Sequence, residues 1–576
     1  MKFLIDIKYI QNFISFISEE IKSSEIANYQ KSIKINGNAE IIISTNFNAF
    51  VISNREFIDS ITELELNRVS IEKNINKLVN GIVILINKHT NETFLYNDIF
   101  GFYPVYFLMI SDKISHFSNN FISLKEISSN NVDDFAVLDM LLFNYPLFNR
   151  TLNRDVKRLI GGSFIHLQQN KQVVEFGLFN YANNFSPSKG KVLAVKPKVL
   201  GSFINNAIKT NLNQGIPTYL TMTSGFDSRT LLASINNQGL DCKSITFGQD
   251  GNIEMKVLEH FIDKFSSFHK NFYLDKSYLD ELPTLFDDFI GKSSDGPVVL
   301  DLLHYLSLKK EVQGHNLIAG FMGGEILVGQ SLGSEVTFTR FASKLLQSKT
   351  KDELIVFFEQ HIKDIPYIDY KKVKAIQSDY LESLLDYLSA DKNNNNVLRF
   401  LINEKYAKFF GTINKFYSAD VNLIVPFMNY DILEYVLNSK SSFLYKKQFH
   451  KSPFLNYYTK KLHARTIVDL CPALGETMFD RLYRVNDLAR NYRFPYVFWG
   501  YFESHFLKKN KKKYPRPHHY DAWYKKVVIN PFNKAMESLD IFNVSYTITD
   551  ELYDKLTPLE KKKIATISSI FLAQNK

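Results

Sequence analysis

The 576-residue chain is poor in the features that mark disulfide scaffolds, metal clusters and membrane spans. Its two cysteines, Cys242 and Cys471, form at most one disulfide and cannot supply the four ligands of a zinc site. No run of about 18 uncharged apolar residues occurs, so no spanning helix is predicted. The sequence therefore argues against a disulfide-rich, Cys-metal or membrane-spanning protein.

The first 20 residues, MKFLIDIKYIQNFISFISEE, also lack the features of a secretory signal. Asp6, Lys8 and Gln11 interrupt the apolar residues, and no small-residue cleavage site follows them. With so few cysteines, this predicts a protein of a reducing compartment, the cytoplasm.

Apolar residues make up 45% of the chain and charged residues 22%, which is typical of globular proteins. The net charge of +9 is a mild excess, which does not by itself indicate nucleic-acid binding. The main basic run, 508–516, is interrupted by Pro515 and followed by Pro517, which favours a solvated loop. A patch that contacts RNA or a peptide leader is the alternative for this run.

The sequence predicts three structural parts, which span residues 1–190, 191–482 and 483–576. The first contains short β-branched and aromatic runs separated by turn residues, such as 39–44, 81–86 and 94–96, which predict a β-rich domain. A small polar segment, SPSKG at 186–190, marks the boundary. The residues beyond about 336 are mostly helical in pattern.

Strand and helix patterns alternate after this boundary, which predicts a doubly wound parallel α/β domain. Predicted strands lie at 219–222, 244–247, 271–274 and 317–319, and predicted helices include 230–235 and 254–265. The segment Thr223-Ser224-Gly225-Phe226-Asp227-Ser228 falls between the first of these strands and the helix that follows it. Small residues there allow backbone N–H groups and the helix N-terminus to face a phosphate, with Asp227 acting through Mg²⁺. An ordinary capped strand-to-helix turn is the alternative.

This loop resembles the S-G-G-x-D-S pyrophosphate loop of the asparagine synthetase-like enzymes, and four further segments follow that family's order. LYNDIFGFYPVY at 95–106 is similar to D-x-x-G-x-x-P-L-Y-Y, and VKRLIGG at 156–162 to I-K-x-L-x-x-G. GFMGGE at 320–325 is similar to G-x-G-x-D-E, and VPFMNYD at 425–431 to the P-F-L-D segment. Together these segments span about residues 80 to 460.

The resemblance implies a degenerate glutamine amidotransferase-like sandwich of the Ntn type, at 1–190, and an ATP pyrophosphatase-type domain, at 191–482. A helical extension, 483–576, follows. The implied activity is ATP-dependent amide-bond formation, in which a substrate carboxylate is adenylated with Mg²⁺ and then joined to an amine. The substrate is a small molecule or a peptide, with a precursor-peptide processing partner in the second case. Cys-less relatives, the β-lactam synthetases and lasso-peptide macrolactam synthetases, use an amine on the substrate itself.

The glutaminase nucleophile of the family, a cysteine after the initiator Met, is replaced by Lys2. An ammonium group cannot perform the thiolate attack on glutamine. We therefore expect the purified protein to release no glutamate from glutamine above background, and measurable release in a coupled glutamate assay would contradict this. An asparagine synthetase that uses free ammonia and a non-catalytic nucleotide- or partner-binding relative are the alternatives to a natural-product ligase.

The resemblance assigns roles to residues of the second domain. Thr223, Ser224, Gly225, Asp227 and Ser228 are implied to bind pyrophosphate, with Thr223 and Ser224 departing from the family's Ser and Gly. Gly324 stands where the family has a magnesium-binding acid, so Glu325 is expected to join Asp227 at the metal, while Met322 replaces a glycine. Lys451 is the predicted transition-state lysine, with Lys446 and Lys447 as rivals and a solvated lysine as the alternative.

Overall fold

The computed structural model describes residues 4–6, 31–36, 39–44, 46–53, 55–62, 64–129, 131–168, 171–175, 194–292, 303–328, 339–348, 350–363, 365–389, 396–412, 417, 421–439, 453–479, 482–503, 520–543 and 545–575. Within these ranges the strands form two antiparallel sheets and one parallel sheet, surrounded by many helices. The predicted mixed α/β architecture is confirmed at this level.

The strands are β1 (Leu4–Asp6), β2 (Lys31–Asn36), β3 (Ala39–Ile43), β4 (Phe47–Ile52), β5 (Ile82–Asn87), β6 (Thr93–Asn97), β7 (Tyr106–Ile110), β8 (Lys113–Ser118), β9 (Val156–Arg158), β10 (Phe164–Gln168), β11 (Lys171–Glu175), β12 (Thr218–Thr221), β13 (Lys243–Gly248), β14 (Phe268–Tyr273), β15 (Asn316–Ile318) and β16 (Asn422–Ile424). The α-helices are α1 (Arg55–Thr62), α2 (Arg68–Asn74), α3 (Phe121–Lys125), α4 (Asp134–Phe143), α5 (Pro197–Asn211), α6 (Phe226–Asn237), α7 (Ile253–Glu259), α8 (Lys276–Lys292), α9 (Leu303–Val312), α10 (Arg340–Gln347), α11 (Lys351–Lys363), α12 (Tyr370–Ser389), α13 (Asn396–Phe400), α14 (Tyr430–Leu437), α15 (Pro453–Leu470), α16 (Val485–Ala489), α17 (Phe494–Phe502), α18 (Tyr520–Ser538), α19 (Asp550–Lys555) and α20 (Pro558–Asn575). Two π-helical segments, Gly324–Val328 and Leu401–Phe410, and short 3₁₀ turns complete the elements.

The two antiparallel sheets pack face to face in the N-terminal part. One has the order β1-β8-β7-β9 and the other the order β11-β10-β6-β5-β4-β3-β2. Alternate residues of each strand point to the shared interior, where Phe50, Ile84 and Leu95 of one sheet meet Phe107 and Phe117 of the other. The predicted β-rich sandwich is present, whereas its amidotransferase type remains a prediction.

Helices cover the outer faces of this sandwich. The Tyr96 hydroxyl of β6 donates to Glu72 of α2 at 3.0 Å, and the Arg68 guanidinium lies 4.9 Å from the ring centroid of Phe94. On the other sheet, Tyr106 of β7 makes an edge contact with Phe121 of α3. The layers are therefore helix, sheet, sheet and helix.

A buried turn explains why two of the N-terminal motifs occur together. The carboxylate of Asp98, which is fully buried, accepts the N–H groups of Phe100, Phe102 and Tyr103 at 3.0, 3.1 and 2.8 Å. Gly101 has a φ of +70°, and a Cβ there would lie 2.8 Å from the backbone N of Gly161. Burial raises the pKa of Asp98 to about 6, while the surrounding N–H donors favour its charged form. The motifs at 95–106 and 156–162 thus meet where their backbones pass close to each other at Gly101 and Gly161.

The parallel sheet has the order β14-β13-β12-β15-β16. Its first strand in sequence, β12, lies at the centre, so the chain moves outward in one direction through β13 and β14 and in the other through β15 and β16. Loops leaving β12 and β15 diverge at this switch point, where doubly wound sheets bind their ligands. The predicted doubly wound sheet is thereby observed.

Three details of the sequence-based prediction were wrong. The helix predicted at 230–235 begins at Phe226, so Asp227 and Ser228 are helical, and the helix predicted at 254–265 is two pieces, α7 and a 3₁₀ turn at 262–264. The edge strand β16 was not predicted, because it is specified by its pairing with β15.

Helices late in the chain pack on the N-terminal part. The Gln574 side chain of α20 donates to the Leu152 carbonyl at 2.8 Å. Tyr380 of α12 donates to the buried carboxylate of Asp139, which also pairs with Arg150 at 2.8 Å. None of the helices in the described ranges is long and apolar enough for a membrane span. The predicted linker at 186–190, the basic run at 508–516 and Lys2 lie outside the described residues.

Candidate functional site

The loop that follows β12 is folded on itself by its own hydroxyl groups. Thr223 Oγ1 accepts the Gly225 N–H at 3.2 Å, and Ser228 Oγ accepts the Thr223 N–H at 3.1 Å. Ser228 Oγ donates in turn to the Thr223 carbonyl at 3.1 Å. The hydroxyl groups of Thr223 and Ser228, two of the five residues predicted to bind pyrophosphate, therefore hydrogen-bond within the loop in this structure.

Helix α6 starts inside this loop and points its N-terminus toward the switch point. Gly225 is the N-cap, with a φ of −74° and no side-chain cap, and Asp227 lies in the first turn. The first N–H groups of a helix have no intrahelical acceptor, and the helix dipole favours an anion there. Ser224 does not have a positive φ. A serine therefore fits this position, where the resembled motif has a glycine, without backbone strain.

The loop that follows β15 lies directly against Asp227. A Cβ on Gly320 would be 3.2 Å from both Asp227 Cβ and the Ser228 backbone N. A Cβ on Gly323 would be 2.8 Å from Asp227 Oδ1 and 2.7 Å from the Phe427 ring. The structure therefore brings 223–228 and 320–325 together, and the glycines permit the approach.

The substitution Gly323→Ala is expected to reduce the free energy of unfolding by about 1–3 kcal/mol, because the new methyl group overpacks the contact with Phe427. Gly225→Ala is the matched control, since its Cβ would meet only Thr223 Oγ1, at 3.1 Å, and should cost about 1 kcal/mol or less. Urea denaturation of both variants measures the difference. A loss in Gly323→Ala no larger than in the control would contradict the close packing.

Met322 occupies this second loop in a left-handed conformation. Its φ is +70° and its side chain is buried. A left-handed non-glycine residue costs roughly 1–2 kcal/mol, which explains why a glycine suits this position. Met322 therefore has a glycine-like backbone conformation, at the position where the motif that this loop resembles has a glycine.

His463, on α15, connects the two loops from their buried side. Its Nε2 lies 3.2 Å from Asp227 Oδ1 and 3.3 Å from the Gly323 carbonyl, and its Nδ1 lies 2.9 Å from Thr230 Oγ1. The side chain has no solvent exposure. Because Nε2 faces two acceptors, it carries a proton and donates toward them. His463 therefore fixes the orientation of the Asp227 carboxylate.

Glu325 is the second predicted metal ligand, and it lies near both Asp227 and Lys405. Burial raises the pKa of Glu325, the negative charge of Asp227 adds to the rise, and the Lys405 ammonium opposes it. Burial lowers the pKa of Lys405, which Glu325 partly offsets. The site therefore contains two carboxylates and a lysine that no sequence motif indicates.

Arg229 anchors the first loop from behind. Its Nη2 donates to the Ser224 carbonyl at 3.1 Å and its Nη1 to Thr477 Oγ1 at 2.8 Å. The guanidinium also stacks on Phe479, 4.1 Å from the ring centroid. This fully buried arginine ties the loop to the segment after α15.

The predicted lysine, Lys451, and its rivals Lys446 and Lys447 lie outside the described residues. Within the described part, the lysines found near the loops are Lys405, beside Glu325, and Lys460, whose Nζ is 5.9 Å from the ring centroid of Phe226. The described residues contain no group of three or more His, Cys, Asp or Glu side chains that would hold a metal by themselves. Mg²⁺ usually takes one or two carboxylates together with phosphate oxygens and water, which fits Asp227 and Glu325.

The strand order and the contact of the loops after β12 and β15 define a doubly wound α/β domain, and the candidate site lies at the switch point where such folds bind ligands. No family model matches this chain, and no curated protein matches it either.

Proposed function

We propose that the protein is an ATP-dependent ligase that adenylates a substrate carboxylate and joins it to an amine without hydrolysing glutamine. The observation that carries this proposal is the contact of Asp227 with Gly320 and Gly323 at the switch point of the sheet. This contact unites the two loops whose sequences resemble the nucleotide-binding segments of asparagine synthetase-like enzymes. The comparisons with known proteins add no support.

The proposed reaction has two steps, adenylation of the carboxylate and attack of the amine. A carboxylate oxygen attacks the α-phosphorus of ATP and pyrophosphate leaves. The amine then attacks the acyl carbon, AMP leaves, and the amine loses a proton. The N-terminus of α6 faces the phosphates, while Asp227 and Glu325 are the residues that would hold Mg²⁺, which neutralises phosphate charge. Lys451 remains the predicted transition-state lysine, and Lys405 and Lys460 are lysines that the described part of the chain places near the loops.

A cluster of aromatic side chains at the rim favours a peptide or other large substrate over a small amino acid. The ring centroid of Phe321 is 5.9 Å from that of Tyr305 and 5.3 Å from that of Phe410, and Phe247 is 5.4 Å from Tyr305. All four side chains are half-buried, which suits an apolar group of a bound substrate. We therefore favour a macrolactam-forming or other natural-product ligase over asparagine synthesis from ammonia.

A nucleotide-binding relative without catalysis is the second candidate. It is favoured by the inward-facing hydroxyls of Thr223 and Ser228, which donate and accept within the loop, and by Gly324 in place of an acid. Incubation with MgATP and candidate carboxylates and amines distinguishes the two. Carboxylate-dependent formation of AMP and pyrophosphate in equal amounts supports the ligase, whereas nucleotide binding without AMP supports the relative.

The proposed metal site has an expected pH dependence. Because the pKa of Glu325 is raised, this side chain takes up a proton at a pH above the ordinary glutamate range, and Mg²⁺-dependent ATP binding should weaken there. Lys405→Met removes the opposing charge, raises that pKa further and should move the loss to higher pH. Calorimetric titration of ATP from pH 5 to 8 measures this. Lys264→Met, at an exposed lysine, is the control. Superimposable profiles for wild type and Lys405→Met would contradict the assignment.

A further inference from the structure

A cavity lined by both polar and apolar side chains lies between the N-terminal helices and the free edge of the parallel sheet. It has a volume of about 70 Å³ and includes Glu56 of α1, Lys77, Asn80 and the residues after β16. Pro426 and Met428 line it, whereas Phe427 between them packs on Gly323 and His463 of the loop site. One layer of side chains therefore separates the cavity from the loops.

The charged side chains of this cavity give it a net negative charge. Glu56, which is half-buried, and Asp431, at the exposed mouth, contribute carboxylates, and Lys77 contributes one ammonium group. The amide of Asn429 donates to Glu56 Oε2 at 3.4 Å, and the side chain of Asn211 also hydrogen-bonds to Glu56, so two amide side chains face that carboxylate. Burial raises the pKa of Glu56, Asp431 adds to the rise, and Lys77 opposes it.

Asn80 adds a further acceptor to this cavity. Its Oδ1 is buried and has no hydrogen-bond partner within the described part of the chain, and its backbone is left-handed, with a φ of +55°. A buried acceptor without a donor costs free energy, which a ligand donor would recover. Glu56, Asp431 and Asn80 together present oxygen acceptors, whose complement is a cation with several N–H donors.

We propose that this cavity binds a small molecule through a primary ammonium group held by Glu56, Asp431 and Asn80. An ammonium group has three donors and one positive charge, which matches the three acceptor side chains and the net charge of the lining. At about 30 Å³ for each water molecule the volume corresponds to two or three waters, so the ligand has about four or five non-hydrogen atoms. Lys77 pairs with a carboxylate where the ligand is an amino acid. This site does not depend on the proposed ligase function.

Thermal denaturation of the full chain tests this with two matched pairs of ligands at 10 mM and constant ionic strength. Ethanolamine is compared with ethylene glycol, and glycine with glycolate, so that each pair differs in the ammonium group. We expect an ammonium ligand to raise Tm by about 2 °C or more, while its hydroxyl counterpart does not. Lys77→Met distinguishes an amino-acid ligand from a simple amine. It should remove the effect of glycine, whose carboxylate pairs with Lys77, and keep that of ethanolamine.

Glu56→Gln should abolish the shift, while Glu65→Gln, at an exposed glutamate outside the cavity, should keep it. Asp431→Asn, at the exposed mouth, serves if Glu56→Gln fails to fold, and it should weaken binding at least about tenfold in calorimetric titration. The proposal is overturned if neither ammonium ligand raises Tm, or if the hydroxyl counterparts raise Tm by the same amount. It is also overturned if the Tm shift persists in both Glu56→Gln and Asp431→Asn. A shift with MgCl₂ alone, and with neither amine, would identify a metal site instead.

Discussion

Replacement of Asp227 by alanine is expected to lower carboxylate-dependent AMP formation by about 100-fold or more, the loss typical of removing one preorganised electrostatic group from a reaction site. Asp227 lies at the contact of both loops, and its Oδ1 is held 3.2 Å from His463 Nε2. It is also the residue that would bring Mg²⁺ to the phosphates at the N-terminus of α6.

Because 34% of the Asp227 side chain is exposed, its removal should leave the fold intact. The free energy of unfolding should change by about 1 kcal/mol or less, which urea denaturation measures. Asp263→Ala, at an exposed aspartate of the 262–264 turn, is the control and should keep full activity. Retained AMP formation in Asp227→Ala would remove this residue from the proposed reaction.

Replacement of Asp98 by alanine is expected to reduce the free energy of unfolding by about 3–5 kcal/mol, because three buried N–H groups lose their acceptor. The N–H groups belong to Phe100, Phe102 and Tyr103, which turn the chain from β6 to β7. Asp98 is fully buried, so bulk solvent does not contact these N–H groups in the folded protein. Urea denaturation followed by far-UV circular dichroism measures the change.

The matched control is Glu126→Ala, which removes an exposed carboxylate of the same N-terminal part. It should change the free energy of unfolding by about 0.5 kcal/mol or less. Asp98→Asn keeps one acceptor oxygen and should fall between the two. A loss in Asp98→Ala that equals the control would mean that the motif at 95–106 has no structural role in this turn.

Much of the fold follows from local patterns in the sequence. Short β-branched runs such as 82–87 predict strands because their residues alternate between two buried layers. The central strand β12 was predicted within one residue, since a turn precedes it and small residues follow it. The missed strand β16 has three residues and is specified by pairing with β15 rather than by its own pattern.

The candidate site was predictable only in part. The loop at 223–228 and the glycines at 320 and 323 carry a recognisable spacing, but their contact with each other is a property of the sheet order. His463 lies more than 200 residues from Asp227, and a lone histidine in a helix gives no signal of such a partner. Lys405 is likewise brought to Glu325 by tertiary packing alone. The roles of His463 and Lys405 follow from tertiary contacts, which no local sequence pattern indicates.

The most direct measurement of the central claim is carboxylate-dependent exchange of labelled pyrophosphate into ATP, in the presence of Mg²⁺, with candidate peptides and amino acids. The account predicts exchange with at least one carboxylate substrate, and its disappearance in Asp227→Ala. The absence of exchange with every carboxylate in such a panel, together with tight binding of MgATP, would contradict the ligase and favour a nucleotide-binding relative.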